Sequence, residues 1–160
     1  AIPQLSYSIT VADEIDTSRG GMIVKAHEPV QTTQEFDAMI CWFADKKTLK
    51  PRGRFHLRHT TNDVRAIVTE VHYKVNISTL EKSAESKEFA LNDIGCVRIR
   101  CASPVFFDAY AQNRTTGSFV LVDEQTNNTV AAGAADNVVR RNVTIGINSD
   151  ILEILPAAAP

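Results

Sequence analysis

The residues of this chain whose types could do chemistry are its histidines, cysteines, clustered carboxylates and a run of cations, and spacing decides what each can do. His27, His56, His59 and His72 lack the spacing to cysteine or carboxylate that a metal site requires. His56 and His59 differ by three positions, which places them on opposite faces of a strand. Cys96 and Cys101 lie five apart on one predicted strand and also point to opposite faces, so neither a local metal pair nor an easy disulfide follows. Buried, reduced thiols in a cytoplasmic protein are the expectation for the three cysteines. Asp13, Glu14 and Asp16 imitate a cation-binding cluster, but no EF-hand-like loop follows them and a solvated turn is the plainer reading.

Larger motifs are missing. No Gly-x-x-x-x-Gly-Lys-Ser/Thr loop is present to cradle phosphates with backbone N–H groups, and no Gly-x-Gly-x-x-Gly follows a strand. Gly-x-Ser-x-Gly is absent too, and Ser18, ahead of Arg19-Gly20, has no histidine nearby. Catalysis, cofactor binding and metal binding by this chain's own residues are not expected. One electrostatic feature survives. Lys46, Lys47, Lys50, Arg52, Arg54, Arg58 and Arg65 concentrate positive charge within twenty residues, and Arg54, His56 and Arg58 share one parity. Such a strip could meet an acidic partner or a phosphate backbone. It could equally be a solvated edge whose cations prevent edge-to-edge pairing. Arg52, Arg54, Arg58 and Arg65 are therefore the candidate partner-contact residues.

The elements that must carry these residues are mostly strands. Phe36, Ala38, Ile40 and Trp42 share a parity opposed by Asp37, Met39 and Cys41, and Phe55 and Leu57 alternate with Arg54, His56 and Arg58. The longest candidate runs from Val64 to Ile77, with Ile67, Val71, Tyr73, Val75 and Ile77 on one face and a mixed stretch near Ala66 and Val68. A strand buried on both sides at one end would give that pattern. Asn92-Asp93-Ile94-Gly95 reads as a turn before a strand with Val97, Ile99 and Cys101 inward and Cys96, Arg98 and Arg100 outward. Ser6–Val11, Met22–Val24, Ser118–Val122 and Val130–Ala135 complete the set, with Asn127-Asn128 suited to a hairpin turn. Only Thr79–Glu88 looks helical, as one or two turns in an exposed insertion. Many short alternating strands with turn signals predict an all-β, closed antiparallel barrel.

Bulk properties agree. A chain of 160 residues, 44% hydrophobic and 22% charged, can bury one core, and a formal charge of −2 gives no global nucleic-acid signal. No run approaches the length of a spanning helix, so no membrane partner is expected. Ala1-Ile2-Pro3-Gln4 shows no signal-peptide character, in keeping with a cytoplasmic location.

Several pieces are more specific in wording than in physics. Ala12–Val24 (ADEIDTSRGGMIV) resembles the place in translation-factor-like GTPases where the second barrel ends and the third begins, although Gly21 stands where an acidic residue is expected. Phe36–Phe43 is similar to the first strand of the third domain, and Val68–Leu80 to a long strand leading into a Thr-Leu-Glu insertion, here Thr79-Leu80-Glu81. Ala90–Gly95, Pro104–Phe107, Asp108-Ala109-Tyr110, Asn113-Arg114, Thr116-Gly117 and Phe119 follow in family order, and Asn127–Gly133 resembles the closing hairpin. Together, over roughly Ser8–Ala135, they resemble the last barrel of the GTPase subunit of sulfate adenylyltransferase, a relative of the elongation factors.

That resemblance implies a Greek-key barrel of the elongation factor domain 3 type, preceded by the end of a second barrel. It divides the chain into residues 1–28 (end of a domain 2-like barrel), 29–136 (domain 3-like barrel, with an insertion at 78–90) and 137–160 (extension or linker). GTP and Mg would belong to an N-terminal GTPase domain of a longer parent. Its partner would be the catalytic subunit, which makes adenylylsulfate and pyrophosphate from ATP and sulfate. In fused versions an adenylylsulfate kinase domain follows, and Arg140-Arg141 would lie near that junction. Two other classes stay open: a translation-factor barrel contacting tRNA or another RNA, and a stand-alone protein-interaction barrel.

Overall fold

A computed structural model describes Ser8 and residues 19–24 and 32–138. It contains seven strands: β1 (Thr32–Trp42), β2 (Arg54–His59), β3 (Asn62–Val75), β4 (Lys82–Ser83), β5 (Ile94–Phe106), β6 (Ser118–Asp123) and β7 (Thr129–Val138). Their lateral order is β2-β6-β7-β1-β5-β3-β4, and an added β2–β3 pairing joins the two ends into a ring. Six strands thus form a closed antiparallel Greek-key barrel, with the two-residue β4 appended to β3. The expected preceding barrel and C-terminal extension, including Asp13, Glu14, Asp16, His27 and Arg140-Arg141, lie outside the described residues.

Period-2 patterning places one side chain in two inside. Phe36, Ala38, Ile40 and Trp42 from β1, Phe55 and Leu57 from β2, and Val97 and Ile99 from β5 are almost wholly buried. Phe36 packs edge-on to Phe119 at 5.6 Å between centroids, and Trp42 meets Phe55 in the same way at 5.6 Å. The Trp42 indole N–H donates to the Lys47 carbonyl at 2.8 Å, so the ring is buried without an orphaned donor.

Two crossovers close the barrel. β1 ends where β5 begins, since Cys41 pairs with Ile94, and Thr32 pairs with Phe106 at the other end. The β1–β2 connection spans the first, lower end. There Leu49 and Phe89, both fully buried, exchange two backbone hydrogen bonds of 2.9 and 3.0 Å. The β5–β6 connection spans the upper end. Its Phe107 stacks against buried His59 at 4.1 Å, and His59 Nε2 bonds the Thr116 carbonyl at 2.7 Å. Because a carbonyl only accepts, Nε2 carries the proton, and His59 Nδ1 is left buried without a partner. Burial lowers the pKa of His59 below the ordinary 6.5, against the pull of the Thr116 carbonyl and Asp108.

Four expectations need correction. Thr79–Glu88 contains no helix: Asn76 Oδ1 accepts from the Ser78 and Thr79 N–H groups, and Lys82–Ser83 pairs with the end of β3. With Leu80 and Ala84 as its only apolar residues before Phe89, that stretch has no stripe to bury as a helix. The mixed face of β3 arises from register shifts at Val68/Glu70 and Val71/Tyr73, not from burial on both sides. Ala66, Val68 and Val71 therefore point inward, whereas Ile67 stands opposite Arg54 outside. The turn before β5 is Ala90–Asp93, closed by the Asp93 N–H on the Ala90 carbonyl at 3.0 Å, with Asn92 at φ 67°. Met22–Val24 is not a strand and pairs with none of the seven strands.

Gly95 lies inside β5 because the chain passes very close to β3. A Cβ there would collide with the Tyr73 carbonyl oxygen and stand 2.9 Å from Lys74 Cα. Gly95→Ala should lower unfolding free energy by about 3 kcal/mol in urea titrations, since backbone atoms cannot rotate away. His59 generates a pH prediction. The unfolded chain takes a proton at this position near 6.5 and the folded chain only at lower pH, so stability falls as pH drops below 6.5. His59→Phe should flatten that limb of the pH–stability curve, and a wild-type curve with no decline there would overturn the account.

Candidate partner-contact surface

The sequence placed Arg54 and Arg58 on one projecting face and left Arg65 without one, and the register brings the three together on the outside. On the outer face of the β2–β3 ribbon, Arg54 stands opposite Ile67, His56 opposite Arg65, and Arg58 opposite Asp63. Arg58 Nε donates to Asp63 Oδ2 and His56 Nδ1 meets Asp63 Oδ1, each at 2.8 Å. The hydrogen bond from Arg58 holds the Asp63 carboxyl below the usual range, with His56 adding to the effect and partial burial opposing it. Arg58 is thus already neutralised. Arg52, Arg54 and Arg65 make no ion pair among the described residues. Arg52 sits apart in the Lys50–Gly53 turn, at φ 68°, where its N–H donates to the Val68 carbonyl at 2.7 Å. Lys47 is also turned away, since it pairs with Asp123 at the β6–β7 hairpin. That bond lowers the Asp123 pKa to about 2, assisted by the N–H groups of Thr126 and Gln125.

Past Arg58 the outer face changes character. A shallow groove of about 590 Å³ crosses β1, β7 and β6, floored by Met39, Cys41, Val120, Ala132 and Ala134. Arg58, Thr60, Thr115 and Tyr110 stand along its border. Sequence reasoning missed this groove, although the signal was present: Val130–Ala135 is a strand of small residues, and small outward side chains leave a depression between larger neighbours.

The opposite outer face is charged. Arg98 grips Asp37 with two hydrogen bonds of 2.8 and 3.1 Å, and His72 Nε2 reaches Asp37 Oδ1 at 2.9 Å. Burial tends to raise the Asp37 pKa, but the bonds from Arg98 and His72 outweigh it and the net shift is downward. Alternation alone put these residues outside. Only register, with Arg98 opposite both Asp37 and Glu70, makes them neighbours. Neither face resembles an active site. Among the described residues, no three His, Cys, Asp or Glu side chains gather to hold a metal. Burial pushes the Cys101 thiol up to about 12, which leaves it inert as a nucleophile.

Known proteins place this geometry. The family described as GTP-eEF1A C-terminal domain-like matches residues 35–136. The chain is 42% identical over 133 residues to the "Bifunctional enzyme CysN/CysC" of Mycobacterium tuberculosis, covering 83% of this chain and 22% of that protein. It is 35% identical over 155 residues to "Sulfate adenylyltransferase subunit 1" of Bacteroides fragilis, covering 96% of this chain and 32% of that protein. The chain therefore spans between about a fifth and a third of the length of these relatives. Among solved structures, sup35 complexed with GDP superposes with a TM-score of 0.65 at 19% identity, over 72% of this chain and 28% of that one, a likeness of fold. Among the described residues no helix is long and apolar enough to cross a membrane. The chain belongs to the GTP-eEF1A C-terminal domain-like family, and its homologues include sulfate adenylyltransferase subunit 1.

Proposed function

We propose that this barrel is the non-catalytic scaffold and partner-contact portion of the GTP-hydrolysing regulatory subunit of a cytoplasmic sulfate adenylyltransferase. One observation carries the non-catalytic role: apolar side chains fill the barrel interior, and the carboxylates Asp37 and Asp63 on the outer face are each held by an arginine and a histidine. The relatives' names supply the parent activity. In this reading GTP and Mg are held by a separate nucleotide domain, and the described residues here contribute no ligand to either. The catalytic subunit that forms adenylylsulfate and pyrophosphate from ATP and sulfate is the partner, and an adenylylsulfate kinase follows in fused parents. In the same reading residues 29–136 form the domain 3-like barrel, preceded at 1–28 by the end of a domain 2-like barrel and followed at 137–160 by an extension or linker. Arg54 and Arg65 lie on the same β2–β3 ribbon as Arg58, which borders the apolar groove, and in this reading they form the polar rim of the contact, an arrangement typical of protein interfaces.

The test is capture of the sulfate adenylyltransferase catalytic subunit by this chain, with and without the nucleotide domain supplied separately. Binding is expected in at least one arm, with a several-fold slower association for the Arg54→Glu, Arg65→Glu double variant at low salt. No capture in either arm overturns the partner-contact reading. A salt-steep affinity for RNA in place of capture would instead support an RNA-contacting barrel.

A further inference from the structure

Arg19-Gly20, inside the family-like stretch Ala12–Val24, lies against the tip of the β2–β3 ribbon. The Arg19 Nε–H donates to the Thr61 carbonyl at 3.3 Å, between residues 42 positions apart. Gly20 has φ 100°, a conformation open to glycine and costly for any residue with a Cβ. A Cβ on Gly20 would also stand 2.6 Å from Asn62 Oδ1, so the backbone there approaches the Asn62 amide as closely as glycine permits. Two successive residues of the segment thus touch two successive residues of the ribbon.

The tip is a tight return. His59 pairs with Asn62, which leaves Thr60 and Thr61 as the two loop residues. Thr60 takes φ 50°, the positive value with which such loops begin, although β-branched residues rarely adopt it. His59, on the near flank of the loop, is buried against Phe107. The Thr61 carbonyl and the Asn62 amide are therefore held in place before anything docks on them. A rigid docking surface favours even an exposed hydrogen bond, because only the arriving segment loses conformational freedom.

The covalent entry to the barrel lies at the same end. β1 starts at Thr32, which pairs with Phe106, and the next residue, Phe107, stacks on His59. A chain tied only at Thr32 has a fixed position and a free direction, since the bonds before a single anchor can still rotate. A second anchor at Gly20 removes that freedom. We infer that Arg19-Gly20 is a latch that docks the incoming chain on the tip Thr60–Asn62 and fixes the direction from which it enters the barrel. Glycine is required at position 20 for both its φ and its size. The latch ties the incoming chain to the ribbon that carries Arg54 and Arg65, and it needs no partner subunit, so it is independent of the partner-contact reading.

Backbone amide order parameters, measured by 15N relaxation on the full 160-residue chain, test the latch. In the wild type the Gly20 and Gly21 amides should be as rigid as a strand, at about 0.85, and in Gly20→Val and Asn62→Trp the Gly21 amide should fall below about 0.6. Gly20→Val denies the segment its backbone conformation. Asn62→Trp adds bulk where Gly20 sits and leaves the segment itself unchanged. Neither substitution enters the core, so both variants should keep the cooperative thermal unfolding of the wild type. A wild-type order parameter below about 0.6 at Gly20, or an unchanged value at Gly21 in both folded variants, overturns the latch.

Discussion

The pairing of β2 with β3 is the interaction on which the rest of the molecule depends, because it turns an open antiparallel sheet into a ring. An open sheet would leave two strands with unpaired N–H and C=O groups, ready to add a strand from another chain. Closure removes those edges. It also sends one side chain in two into a common interior, where Phe36, Trp42, Phe55 and Leu121 meet residues from all sides. What remains for contact with other molecules is side chains on the outer face and the turns at the two ends.

Closure also explains why the crossovers matter. A six-stranded barrel has two open mouths, and water entering either would wet the aromatic core. Leu49 and Phe89 stop one mouth and Phe107 with His59 the other. A phenylalanine could fill the place of His59 but could not bond the Thr116 carbonyl. The imidazole does both in its neutral form, at the expense of one unpartnered nitrogen and a sensitivity to acid. Outside, the split between a charged face on β1, β5 and β3 and an apolar groove on β1, β7 and β6 leaves the first face internally satisfied and the second available.

The errors of sequence reading share a cause. Thr79–Glu88 has helix-favouring composition, yet its conformation is set by the end of β3, by Asn76 and by lysines anchored on neighbouring strands. Bulges in β3 invert its facing halfway along, and a strict period of two cannot represent an inserted residue. At Ala90–Asp93 the turn is placed by Asp93, whose carboxylate accepts the Ala90 N–H at 2.7 Å, and Gly95 serves close strand approach instead. Each case is a local preference overruled by a neighbour distant in sequence.

Alternation of apolar and polar side chains determined that this chain forms strands and which residues of β1, β2 and the first half of β5 face inward. Those properties are encoded locally, in parity and residue type. Register is not, because pairing distant strands depends on how the whole ring closes. Tertiary structure alone decided that Arg58 is spent on Asp63 whereas Arg54 and Arg65 are not, that Asp37, Arg98 and His72 form one network, and that the alanines of β7 floor a groove. It also decided that Leu80, within a charged insertion, stands exposed at positive φ in the turn after β3. Closing the barrel sets which residues become neighbours, and neighbours set what each side chain is left free to do.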